Sequence, residues 1–176
     1  MNPVPYFAYG TTQKGYVHHR RLAHLLGEPV ARVRTVLAHA VVVPRRAACS
    51  NPGCRYVHRM AALVPGLEPL RVEGDLFLIS DDAVAVLDDL ETRGPYVRDR
   101  VEVAALDGAG TYEADAYLAR EPARWRALVD LGEAEALRTY PRDLAASEQL
   151  KDCCARAPDH SGLHDVVDPL AGVMRR

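Results

Sequence analysis

Cysteine is scarce in this chain of 176 residues and confined to two places, Cys49 and Cys54 near the middle and the pair Cys153 and Cys154 near the end. Small secreted domains compensate for a thin core with several disulfides, and four clustered cysteines do not make that framework. Neither sign of charge dominates: 22 basic and 24 acidic residues leave a formal net charge of -2 and are mixed along the chain. No basic face is offered to nucleic acid or to an anionic membrane surface, and neither is expected as a partner. Long hydrophobic runs are missing too. The longest apolar stretches are strand-sized, far short of the roughly 20 residues that cross a bilayer. The N-terminus lacks the basic lead and apolar core of a signal peptide, so a cytoplasmic location with reduced thiols is the expectation.

What is present is ordinary for a globular protein: 48% hydrophobic and 26% charged residues, enough for one domain with a full core. Residues 4 to 9 read as a buried strand ended by Gly10, and Val17 to Leu26 as a short helix closed by Gly27. The valine-rich segment Val30 to Val43 reads as extended and stops at Pro44. Met60 to Val64 and Arg71 to Ile79 read as antiparallel partner strands joined through the turn Pro65-Gly66. Ser80 is placed to cap a helix with Asp81 and Asp82 in its first turn, running to about Glu91. Tyr96 to Ala105 and Thr111 to Leu118 flank the turn Asp107-Gly108-Ala109-Gly110 as a hairpin. From Pro122 onward the pattern is helical, with Trp125 packing that part onto the sheet. One domain over 1–157 with an irregular tail over 158–176 is expected. Short strands with interspersed helices and no βαβ alternation indicate an α+β fold on an antiparallel sheet or small barrel.

Projected at about 100° per residue, the helix to Glu91 shows an apolar stripe of Ala83, Val86, Leu87 and Leu90, with Val84 at its edge. Glu91 falls between Leu87 and Val84, the carboxylate nearest the buried side. A solvated end-of-helix glutamate is one reading. A half-buried carboxylate, whose pKa is raised so that it serves as general base and acid, is the other.

The stretches YFAYGTT at 6–12, VEGDLFLIS at 72–80, LDDLETRGPYVRDRVEV at 87–103 and ADAYL at 114–118, in that order and spacing, resemble the gamma-glutamylcyclotransferase-like family over roughly residues 4 to 120. The resemblance implies a small mixed, mainly antiparallel β-barrel with flanking helices. It implies that Glu91 is the catalytic acid–base of a reaction in which the α-amine of a gamma-glutamyl group attacks its own gamma carbonyl, closing 5-oxoproline and expelling an amine. It also implies that Tyr9, Gly10, Thr11 and Thr12 form a backbone cradle for substrate oxygens, glycine allowing close approach and successive N–H groups making an anion nest. Thr12 departs from the Leu or Asn common there. Tyr96 and Tyr117 have hydroxyls able to reach the same cleft, though each also suits barrel packing. No metal or cofactor is required, and a small gamma-glutamyl substrate is the expected partner.

Other constellations compete. Cys49, Cys54 and His58 have C-x4-C-x3-H spacing, suggestive of a metal knuckle completed by His18, His19 or the Cys153-Cys154 pair. The spacing is not a standard finger, and a Pro-Gly turn, a redox-sensitive pair or a substrate lid carrying Arg55, Tyr56, His58 and Arg59 fits it as well. His18 and His19 read as solvated helix-start residues. A non-catalytic binding barrel of the same fold is the alternative to the enzyme, and Glu91 separates the two, because a binding module has no use for an acid on the inner edge of this helix.

Overall fold

The computed structural model describes residues 3–45, 61–92 and 94–141. The order is β1 (Val4–Ala8), α1 (Val17–Leu26), β2 (Ala31–Thr35), β3 (His39–Pro44), β4 (Ala62–Pro65), β5 (Glu73–Ile79), α2 (Asp81–Glu91), β6 (Tyr96–Ala105), β7 (Thr111–Ala119), α3 (Pro122–Asp130) and β8 (Ala134–Leu137). Strands pair in the order β1-β5-β2-β6-β7, and a parallel contact of β1 with β7 at Tyr6 and Asp115 closes these five into a barrel. From β7 the sheet continues through β4 and β3 to β8 as a wing. The fold is α+β, a mixed and mainly antiparallel barrel with flanking helices. Among the described residues no helix is long and apolar enough to cross a membrane.

β1 shows why its sequence is an unbroken apolar run rather than an alternation. Phe7 and Tyr9 point into the barrel with Val33, Leu76 and Val103, while Tyr6 and Ala8 point outward beneath the helices with Phe77, Leu26 and Leu87. A strand covered on both faces has no solvent side to be polar. A third cluster, on the wing, packs Val42, Ala62 and Val64 under Trp125 and Leu128 of α3.

Several expectations change. The extended segment from Val30 is two strands: β2 stays in the barrel and β3 joins the wing. β4 and β5 are not partners, because both edges of β5 are taken by β1 and β2 while β4 lies between β3 and β7. The helical stretch after Pro122 ends at Asp130, Gly132 takes φ 72°, and β8 fills the open edge of β3. On α2 the Ser80 hydroxyl accepts from the Ala83 N–H as expected, but the buried face is Ala83, Val84 and Leu87, with Val86 and Leu90 exposed. That rotation brings Glu91, seven residues from Val84 and four from Leu87, onto the inward side.

Gly74 explains the V-x-G piece of the sequence pattern. A Cβ there would lie 2.3 Å from the Ala8 carbonyl oxygen and 2.6 Å from the Phe7 ring, so β1 and β5 approach only over a glycine. Gly74→Ala is expected to destabilise the fold by roughly 3 kcal/mol, as overpacking of a tight core does. Denaturant unfolding checks this; an unchanged midpoint would contradict it.

Candidate active site

The turn after β1 is held by side chains from three elements. Gln13 donates its amide to the Tyr9 carbonyl at 2.6 Å, and the Lys14 N–H donates to Asp75 of β5 at 2.8 Å. Arg32 of β2 donates to the other oxygen of Asp75 at 3.0 Å and to the side-chain amide oxygen Oε1 of Gln13 at 3.3 Å. The Gly10 carbonyl accepts from the Gln13 N–H, and the Thr11 carbonyl accepts from both His18 and His19 N–H groups opening α1. In a planar trans peptide the N–H points opposite to its C=O. The N–H groups of Gly10, Thr11 and Thr12 are therefore turned away from these bonds.

The side chains of the turn are already engaged. Thr12 is buried with its hydroxyl 2.9 Å from that of Tyr6. The Thr11 hydroxyl lies 2.7 Å from His18 Nδ1. Gly10 needs no glycine on account of its own chain, since a Cβ would meet the Tyr140 ring only at 3.8 Å. The close packing of chain on chain over a glycine occurs at Gly74. His19 is buried rather than solvated, because α1 lies over the outer barrel face and its ring packs on Phe77 at 5.7 Å.

Tyr9 plugs the place where the edge of β7 passes from β1 to β4. Its hydroxyl donates to the Tyr117 carbonyl at 2.6 Å and accepts from the Leu63 N–H at 3.2 Å. Glu91, the last residue of α2, is half-buried. Burial, and after it the negative charge of Glu91, pushes the pKa of both Tyr6 and Tyr9 upward. The acid thus bears on the two phenols that pack at the base of the turn. The Tyr117 hydroxyl donates to Asp88 at 2.9 Å, and burial followed by that bond raises its pKa as well. Tyr96 donates to the Ala61 carbonyl at 2.8 Å. Both hydroxyls have protein partners, consistent with a packing role.

Sequence reasoning passed over Tyr6, Asp75, Asp88, Arg98 and Asp115. The available signal was a lone aspartate inside each of two apolar strands, since carboxylates are almost never buried unpaired. Among the described residues no three His, Cys, Asp or Glu side chains are grouped to hold a metal ion. Cys49, Cys54 and His58, the proposed lid residues Arg55, Tyr56 and Arg59, and Cys153 and Cys154 lie outside the described residues.

The raised phenol pKa values carry a pH consequence. A tyrosine whose folded pKa exceeds its unfolded value of about 10 contributes stability in full below that pH, and loses it as the pH climbs toward the folded value. In an alkaline titration followed by tyrosinate absorbance, Tyr6, Tyr9 and Tyr117 of the eight tyrosines are expected to ionise only together with unfolding. Complete ionisation of all eight in the folded protein would be inconsistent with this arrangement.

Comparison with known proteins agrees with the architecture. An AIG2-like protein from Mus musculus superposes with a TM-score of 0.51 at 21% identity, covering 67% of this chain and 78% of that one. An uncharacterized Homo sapiens protein superposes at 0.53 with 17% identity over 100% of both chains. Allophanate hydrolase from Kluyveromyces lactis carries the same fold within a much longer chain, at a TM-score of 0.51 and 13% identity, covering 69% of this chain and 18% of that one. At these identities the likeness is one of fold. No curated protein sequence matches. The family model described as gamma-glutamyl cyclotransferase, AIG2-like, matches residues 6–135, well over half of the chain. With the closed barrel, the turn after β1 and the acid at the end of α2, this protein belongs to the gamma-glutamyl cyclotransferase, AIG2-like family.

Proposed function

We propose that the protein is a gamma-glutamyl cyclotransferase that releases a gamma-glutamyl group as 5-oxoproline from a gamma-glutamyl amine or dipeptide. What supports this reading is Glu91, half-buried at the end of α2, together with the turn after β1, whose carbonyls are held by Gln13, His18 and His19. Near neutral pH the substrate's α-amine is an ammonium ion and not a nucleophile. Glu91 takes one of its protons, and the freed nitrogen attacks the gamma carbonyl carbon of the same residue. Because nucleophile and electrophile share one chain, holding the glutamyl group folded replaces an encounter between two molecules.

The attack places negative charge on the carbonyl oxygen. The N–H groups of Gly10, Thr11 and Thr12 are the donors available to stabilise it, already fixed by the bonds that orient the opposite carbonyls. As the tetrahedral intermediate collapses, the bond to the leaving nitrogen breaks and Glu91 returns a proton to it. One carboxylate thus serves as base and then acid, and leaves the cycle in its starting state. Ring closure also releases the second proton of the attacking nitrogen, which the departing amine takes up, so the products are 5-oxoproline and the amine in its ammonium form. The side chain of Thr12, committed to Tyr6, leaves recognition on that side to the backbone.

Glu91→Gln keeps volume and hydrogen-bonding capacity but cannot take the proton. It is expected to lower kcat for 5-oxoproline release on the order of 10² to 10⁴-fold, with KM little changed and a cooperative melt close to the parent. The test compares parent and variant over a panel of gamma-glutamyl amines and dipeptides. Near-parental turnover by the variant, on a substrate that the parent processes, would assign the proton transfers to another residue.

A further inference from the structure

The chemistry proposed for Glu91 leaves Asp88, Arg98 and Asp115 without a part, yet they form one continuous chain of charge. Arg98 Nε lies 3.1 Å from Asp88 Oδ1, and its Nη1 lies 2.8 Å from Asp115 Oδ2. Arg100 Nε meets the other oxygen of Asp115 at 2.8 Å. Tyr117 donates to the Asp88 oxygen that Arg98 also contacts. Asp115 is buried in the barrel wall, in register with Tyr6 across the contact that closes the barrel.

We infer that Arg98 is a positioning residue for Glu91: it clamps Asp88, one turn earlier on the same side of α2, to the buried Asp115, and so sets the rotation of the helix end. This rests on the reading of Glu91 as the proton carrier. The first two turns of α2 are gripped by Ala83, Val84 and Leu87, but beyond Leu87 the helix buries no apolar side chain and Leu90 is exposed. Polar contacts are what hold its last turn. Asp88 and Glu91 are the two half-buried residues there, while Asp89 and Leu90 face solvent. Behind them Arg120 donates to the Thr92 carbonyl at 3.0 Å and the Tyr96 carbonyl at 3.1 Å, fixing where the chain leaves the helix.

Energetics argues against stability as the reason for the clamp. Ion pairs drawn out of water offset much of their attraction by desolvation, and apolar replacements are often neutral. Arg100 already pairs with Asp115, so the buried charge does not depend on Arg98. Asp88 does: among the described residues Arg98 supplies its cation, and the other side chain bonded to its carboxylate is the Tyr117 hydroxyl.

The test uses Arg98→Met, Arg98→Lys, Asp88→Asn and the Arg98→Met/Asp88→Asn double variant in the full chain. Arg98→Met is expected to lower kcat on the order of 10 to 100-fold, the scale set by small misplacements of a reacting group, with KM and melting temperature near the parent. Arg98→Lys should restore part of the loss, and the double variant should be no worse than the poorer single one, as members of one clamp are coupled. Parental kcat in Arg98→Met, or fully additive losses in the double variant, would overturn the inference while leaving the cyclotransferase reading intact. If the parent releases no 5-oxoproline from any substrate tried, that reading fails, and amide exchange decides the clamp: faster exchange at Thr92 and Gly94 in Arg98→Met supports it, and unchanged exchange refutes it.

Discussion

The parallel contact between β1 and β7 is the constraint on which the rest of the molecule depends. It closes the five-stranded barrel, and it ends where β1 peels away and β7 takes β4 as its neighbour instead. A parting of two strands leaves ladder groups without partners, and buried backbone polar groups must find them. Tyr9 resolves this with one phenol that bonds to both the Tyr117 carbonyl and the Leu63 N–H. The turn that follows is fixed in place because its first residue is part of that junction. The placement of that turn is therefore a by-product of closing the barrel and then letting one strand go.

Charge is distributed around β1 with the same economy. Its two neighbours each carry a buried aspartate, Asp75 beside Ala8 and Asp115 beside Tyr6. An isolated carboxylate in such a place would be costly, and each is paired with arginine. Asp75, with Arg32, reaches the turn through the Lys14 N–H. Asp115, through Arg98, reaches α2. The two halves of the proposed site, backbone donors and acid, are tied to the same strand from opposite sides, so their separation is governed by the barrel wall and not by either loop.

Much of this was legible from residue order. The hairpin of β6 and β7, the cap at Ser80 and both ends of α1 follow from local signals whose physics is local: turn glycines, a hydroxyl at the helix start, a glycine at its end. The errors came where neighbours distant in sequence decide the outcome. Nothing within β4 or β5 says that another strand will claim the edge each might offer the other. The face of α2 was misjudged because Val86 and Leu90 are as apolar as Val84 and Leu87, and only the position of Tyr117 and Phe77 beneath the helix selects between them. Glu91 is proposed from the helix projection and the motif together, whereas the ion pairs of Arg98 with Asp88 and Asp115 need the pairing of β6 with β7 to bring Arg98 and Asp115 together.

The central claim is that the turn after β1 and Glu91 act on one substrate group. It is tested most directly by a crystal structure of the Glu91→Gln protein with an intact gamma-glutamyl amine. The account predicts the gamma carbonyl oxygen at about 3 Å from the N–H groups of the Gly10 to Thr12 turn, with the α-nitrogen facing the side chain at position 91. A gamma-glutamyl group bound with its carbonyl away from that turn, or with its α-nitrogen out of reach of position 91, would contradict it.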